Sequence, residues 1–185
     1  FGYSLDYFVR GLELGNAVFT EFEGTPDNYK PMNEKIIDMG AGLERFTWLT
    51  QGTPTAYEAV FGPVVDKVLN KCNIVYEKDF FLDYSKISGV LNLDEAKDIN
   101  VVRTAVAKQL TITKSDLITK ITPLESMFAL IDHVKTLIFA ISDGALPSNV
   151  GGGYNLRVLL RRALSKIDSQ NWNITLGEVA DWHIS

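Results

Sequence analysis

The sequence predicts an α+β protein, a short antiparallel sheet followed by a mainly helical region, and three observations lead there. From Leu12 to Glu23 the residues sort by period two: Leu12, Leu14, Asn16, Val18, Thr20 and Phe22 share one face. From Ala56 onward, apolar residues instead recur at helical spacing. Between them, Lys35 to Arg45 (KIIDMGAGLER) passes from β-branched Ile36 and Ile37 through Gly40-Ala41-Gly42 into Leu43-Glu44-Arg45, a strand turning into a helix.

Taken in order, Tyr3 to Arg10 reads as a strand or an irregular lead-in, and Leu12 to Glu23 as a long strand. Gly24 to Asn28 is turn chemistry, so the strand that follows, ending at Asp38, pairs antiparallel with its predecessor. A helix begins at Leu43, and Gly52-Thr53-Pro54 breaks the chain there. Ala56 to Asn70 is expected as one helix with the stripe Tyr57, Val60, Phe61, Val64 and Val68, kinked at Pro63. Cys72 to Asp98 fits no template. Ile99 to Leu110 and Lys114 to Lys120 read as helices. Thr122-Pro123-Leu124-Glu125 has the spelling of a capping box with proline at the first helical position, opening a helix to about Asp143. The loop Gly144 to Gly153 leads to a helix burying Leu156, Leu159, Leu160, Ala163, Leu164 and Ile167. Thr175 to Glu178 spells a second capping box. The expected division is residues 1–53, carrying the sheet, and residues 54–185, helical.

Composition narrows the function. A charge of -5 argues against a general nucleic-acid coat, although a local basic face is compatible with it. No apolar run reaches membrane-spanning length, so no membrane partner is expected, and a soluble cytoplasmic protein fits. Cys72 stands alone with His133 and His183, so no metal site, and no zinc in particular, is expected.

Asp38, beside the glycines, could accept charge-assisted hydrogen bonds from a small amine, or cap the next helix. Gly40 and Gly42 leave backbone open to a close ligand or simply serve the turn. Arg45 offers a planar, permanently charged group for stacking and phosphate contact, or forms a surface ion pair. Asn16 interrupts an apolar face and needs a partner if buried. Glu13 falls on the opposite face unless a bulge at Gly15 intervenes, which leaves it a solvated strand residue. Asn149, in a Pro-Ser-Asn loop, carries donor and acceptor together. It could read a base edge or close an Asx turn. Arg157, Arg161, Arg162 and Lys166 make a cationic side on their helix, suited to RNA phosphates or to solvent. His133 has no assignable chemistry and reads as structural.

DMGAGLERF (Asp38 to Phe46) resembles motif 3 of class II aminoacyl-tRNA synthetases, in the DxGAGLER spelling of the alanyl-tRNA synthetase family. A second block, Asp143 to Asn149 with Gly153-Tyr154-Asn155-Leu156-Arg157 and Leu160 to Ala163, resembles the DGxxPSNxGRGYxLRxLLRRA block of that family's tRNA-recognition region. Gln51 to Phe61 is similar to the archaeal branch. The resemblance spans essentially the whole chain. It implies the last part of a class II catalytic sheet in residues 1–53 and most of a tRNA-recognition region in 54–185. It also implies that Asp38, Asn16 and Gly40 bind alanine, that Gly42 and Arg45 bind ATP with its magnesium, and that Arg45 acts in catalysis. Asn149 would help to recognise the G·U pair of the alanine tRNA acceptor stem, with Arg157, Arg161 and Arg162 on the RNA. Motifs 1 and 2 are not in the chain, which opens at Phe1. The resemblance therefore predicts a piece of a longer synthetase that works with the rest of that chain. Where the family spells GRGY, this chain has Gly152-Gly153-Tyr154 and so lacks one arginine of the expected RNA surface. The alternative is a non-catalytic RNA-binding module formed by the helical half.

Overall fold

The computed structural model describes residues 1–88 and 98–185 and divides the chain into two compact units, Phe1–Val60 and Phe61–Ser185. The expected α+β class is borne out. The first unit is a three-stranded antiparallel sheet in the order β1-β2-β3, with β1 Gly2–Val9, β2 Leu12–Thr25 and β3 Asn28–Ala41. The first connection is two residues long. Arg10 and Gly11 both take positive φ (50° and 89°), the geometry a tight hairpin needs and that glycine accepts freely. The second hairpin turns at the expected place, Pro26 and Asp27.

Two irregularities shape this sheet. Tyr7 pairs with Gly15 but Phe8 pairs with Glu13, so Leu14 is an extra residue in β2, a β-bulge. Leu14 is also the only buried hydrophobic side chain among the described residues of this unit, and burial of a leucine is worth about 1.5–3 kcal/mol. Between β2 and β3 the register shifts beyond the pair Thr20–Ile36, resuming at Phe22–Pro31. β3 runs further than the sequence suggests. It continues through Asp38, Met39 and Gly40 to Ala41, because Gly40 and Ala41 still pair with Asn16 and Gly15. Asp38 therefore does not end the strand. Helix α1, Leu43–Gln51, starts directly after Gly42, and Gly52 closes it in the left-handed conformation, its N–H donating to Trp48 O at 2.9 Å.

The expected helix from Ala56 to Asn70 is two helices, α2 Ala56–Phe61 and α3 Pro63–Lys71. Gly62, at φ 27° and ψ -98°, breaks it, and Pro63 begins the next helix at a position where its missing N–H costs nothing. Phe61, Val64 and Val68 are buried as expected, while Tyr57 is exposed. Phe80-Phe81-Leu82 lie in α4, Lys78–Ser88, and α5 is Ile99–Gln109. The part of Cys72 to Asp98 at residues 89–97 lies outside the described residues.

The expected start of a helix at Thr122 is overturned. Lys114 to Ser142 is one helix, α6, capped at Thr113, whose hydroxyl accepts from Asp116 N at 3.0 Å, and Pro123 lies inside it. An interior proline costs about 3 kcal/mol. The buried residues Leu117, Ile121, Leu124, Phe128 and Ile131 nevertheless keep one helical phase across it. Burying five such side chains, at about 1.5–3 kcal/mol each, outweighs the local loss. α6 supplies the centre of the second unit, with Met127, Leu130 and Ile131 fully buried. It packs on α5, on α7 (Gly151–Ser169) and on α8 (Leu176–Ile184). The Thr175 capping box is borne out: Thr175 Oγ1 accepts from Glu178 N at 3.2 Å, and Thr175 N donates to Glu178 Oε2 at 2.8 Å. α7 begins within the glycines, at Gly151. It buries Ala163 and Ile167, with Leu156, Leu159 and Leu160 half-buried. Leu164 is 44% exposed, contrary to expectation, because it lies three and four residues from Arg161 and Asp168, on the edge of the buried stripe. No helix among the described residues is long and apolar enough to cross a membrane.

Candidate functional site

Strand register gathers the first group of residues. Asn16 pairs with Gly40 and Val18 with Asp38, and directly opposed residues of antiparallel strands share a face. Asn16, Asp38 and Gly40 therefore project on one side of the sheet. A Cβ on Gly40 would stand 3.1 Å from Asn16 Oδ1, so the glycine leaves the amide uncovered. Asn16 and Asp38 are exposed, and among the described residues neither side chain has a hydrogen-bond or ion-pair partner. Asn16 is thus not the buried amide that needs an internal partner. Asp38 does not cap α1 either. The N-cap is Gly42, with no side-chain cap bond.

Two residues that sequence reasoning left aside join this face. Asp6 of β1 pairs with Asn16. Glu13 arrives through the bulge. Because Leu14 is the extra residue, Glu13 opposes Phe8 while Asn16 opposes Asp6, and Phe8 and Asp6 point the same way. Glu13 and Asn16 share a face that period two assigned to only one of them. The signal in sequence was Gly15, the right kind of residue one position from the bulge.

Arg45, in the first turn of α1, reaches back over Gly42, the glycine hinge between β3 and α1. Its Nη1 donates to the carbonyl of Glu13 at 2.9 Å and stands 3.5 Å from Glu13 Oε2. Gly42 makes room for this. A Cβ there would lie 3.0 Å from Arg45 Cδ. Gly42 N–H in turn donates to Leu14 O at 2.9 Å, so the hinge is bonded to the bulge itself. The ion pair is about half exposed on both sides, which puts its worth near 0–1 kcal/mol. The expected alternative for Arg45, an ion pair with a nearby acid, is what the structure contains, with Glu13 as the acid. The resulting surface carries carboxylates (Asp6, Asp38), an amide (Asn16) and bare backbone (Gly40), with a guanidinium at one end. It can receive an ammonium at one point and a phosphate or an aromatic ring at another.

The second group lies between α6 and α7. In its loop, Ser148 N donates to Gly153 O at 2.9 Å, and Ser148 Oγ donates to Val150 O at 2.9 Å. A Cβ on Gly153 would stand 2.3 Å from Ser148 Oγ, so the loop is seated on the first turn of α7. The alternative reading of Asn149 as an Asx turn is not what the structure contains: Ser148 closes the loop. The exposed Asn149 amide has no partner among the described residues. Arg157 and Arg161 stand one turn apart on α7, and Arg162 lies about 100° further round. All three are exposed, and none is paired among the described residues. Lys166 leaves this group, being half-buried with its charge acting on Glu125. His133 is half-buried, with Nδ1 unpartnered apart from Asp132 Oδ2 at 3.7 Å. Among the described residues no three His, Cys, Asp or Glu side chains are grouped to hold a metal.

The chain resembles known proteins over its full length. It is 48% identical to the alanine–tRNA ligase of Nitrosopumilus maritimus over 185 residues, all of this chain and 21% of that protein. Against the alanine–tRNA ligase of Cenarchaeum symbiosum the identity is again 48%, and against that of Methanocella arvoryzae 44%, each over 185 residues. The chain thus spans about a fifth of the length of these relatives, 20% and 21% of the last two. The family described as tRNA synthetases class II (A) matches residues 9–185, from the end of β1 through the bulge, the glycine hinge, the Ser148 loop and α7 to the last residue, and the chain belongs to that family.

Proposed function

We propose that this chain is part of an alanine–tRNA ligase, holding one portion of its alanine and ATP site and one surface for the acceptor stem of alanine tRNA. The observation that carries the reading is the common face of Asn16, Asp38 and Gly40 beside Arg45. On this reading residues 1–53 belong to the catalytic domain and 54–185 to tRNA recognition, in a cytoplasmic enzyme. The unpartnered Asp38 carboxylate receives the ammonium of alanine. Gly40 leaves space for a substrate whose side chain is one methyl group, and Asn16 offers its amide to the same molecule. Arg45 spans the hinge to the nucleotide, with Gly42 giving its stem room. The alanine carboxylate then attacks the α-phosphate of ATP and pyrophosphate leaves. The aminoacyl group passes next to the 3′ end of the tRNA. These residues work by positioning and by offsetting charge in the transition state, with no covalent enzyme intermediate. Magnesium would accompany the ATP, as the resemblance implies, and neutralise phosphate charge.

The test is alanine-dependent ATP–pyrophosphate exchange in the complete ligase that contains this chain. Asp38→Ala removes one charge-assisted hydrogen bond, worth ~1.5–3 kcal/mol, and should lower kcat/KM for alanine roughly tenfold to a hundredfold. KM for ATP should hardly move. Unchanged use of alanine would remove Asp38 from the site. Tight tRNA binding by a complete protein with no exchange activity would favour the non-catalytic RNA-binding module.

A further inference from the structure

We infer that Glu13 is a positioning residue for Arg45, brought onto the site face by the Leu14 bulge; the inference rests on the reading of Arg45 as a nucleotide-binding group. In a regular strand Glu13 would project from the side opposite Asn16, as the period-two reading expected. The bulge reverses this, and both carbonyls at the irregular step are then used by the hinge and helix. Leu14 O accepts from Gly42 N–H at 2.9 Å, and Glu13 O accepts from Arg45 Nη1 at 2.9 Å. The Glu13 carboxylate, 3.5 Å from the same nitrogen, adds charge to the backbone bond.

The bulge has little freedom to anneal out. Gly15, next to it, faces Gly40 O and Tyr7 Oη so closely that a Cβ would lie 2.3 Å from each. Tyr7 covers the glycine from β1, in the pair beside the irregular step. Leu14 is 5% exposed and anchors the extra residue. A long arginine side chain loses much rotamer freedom when it binds a ligand. Two acceptors on one residue remove part of that loss beforehand, leaving the rest of the guanidinium available to an incoming nucleotide. Glu13 therefore acts through Arg45. It is not itself a contact of alanine, whose place is marked by Asn16, Asp38 and Gly40.

A double-mutant cycle in the complete ligase tests this, read as KM for ATP, KM for alanine and kcat in pyrophosphate exchange. Glu13→Gln keeps the shape and the backbone bond but removes the charge. It should raise KM for ATP roughly two- to fivefold, the range for a partly exposed ion pair, and leave KM for alanine unchanged. In an Arg45→Ala background the same substitution should change nothing further. A Glu13→Gln effect of equal size in both backgrounds overturns the inference, because Glu13 would then act without Arg45. So does the absence of any Glu13→Gln effect in the protein that keeps Arg45, and so does a defect that excess magnesium repairs, which would assign the carboxylate to the metal. If Arg45→Ala itself leaves KM for ATP unaltered, the nucleotide reading of Arg45 fails, and the inference with it.

Discussion

Single side chains separate the two roles a polar residue can play, holding the protein or awaiting a ligand. Ser148 and Asn149 stand next to each other, and only one of them is engaged. Ser148 makes the bonds that close the loop, which leaves the Asn149 amide free among the described residues. Asn149→Ala should therefore leave thermal stability unchanged, and on the proposed function its effect falls on RNA instead. It should erode the preference for a G·U over a G·C pair in the acceptor stem, by about 1–3 kcal/mol if the amide makes a bidentate contact. The measurement is kcat/KM for aminoacylation of the two stems. Arg161→Ala serves as the contrast, lowering both stems alike and reducing the salt slope by at most about one unit, as a phosphate contact does. Equal loss on both stems with Asn149→Ala would return the residue to a structural role.

At the scale of elements, the ends of helices are where charge and capping meet. Glu178 closes the capping box of α8 and pairs with Lys71 of α3 at 2.8 Å. The Lys71 bond, followed by those from Thr175, holds its carboxyl well below the usual range, down to about 2 from 4.5. A carboxyl with a depressed folded pKa stabilises the fold above its unfolded value, and the contribution fades as pH falls through the folded one. Thermal unfolding of this chain should thus lose stability between about pH 4.5 and about 2. Glu125 has the opposite sign. Burial chiefly raises its pKa, against the charges of Arg103 and Lys166, so its contribution is lost as pH rises. The difference in Tm between the natural chain and Glu178→Gln isolates the first effect. That difference should shrink steadily as pH falls through the window. A constant difference would mean that the carboxylate's charge contributes nothing to the helix end.

For the whole molecule, the site described here is one-sided. Asn16 and Asp38 stand exposed, and the chain spans about a fifth of its relatives, at 21% of the first. On the proposed function, alanine-dependent ATP–pyrophosphate exchange by the 185 residues alone should be undetectable, because the nucleotide would lack the contacts that the resemblance assigns to motifs 1 and 2. Turnover close to that of a complete ligase would overturn this. The sequence by itself determined the family, the sheet followed by helices, the glycine hinge, the Gly52 stop and the Thr175 capping box. All of these are written in neighbouring residues, through backbone preference and local hydrogen bonds. Tertiary structure decided what depended on distant partners. It carried α6 through Pro123, because a buried stripe in one phase outweighs a local break. It extended β3 past Asp38, because Gly40 and Ala41 found partners in β2. It placed Glu13 beside Asn16, because a single extra residue in a strand reverses every side chain beyond it, and such a register shift is set by the strand alongside, which the periodicity of one strand does not record.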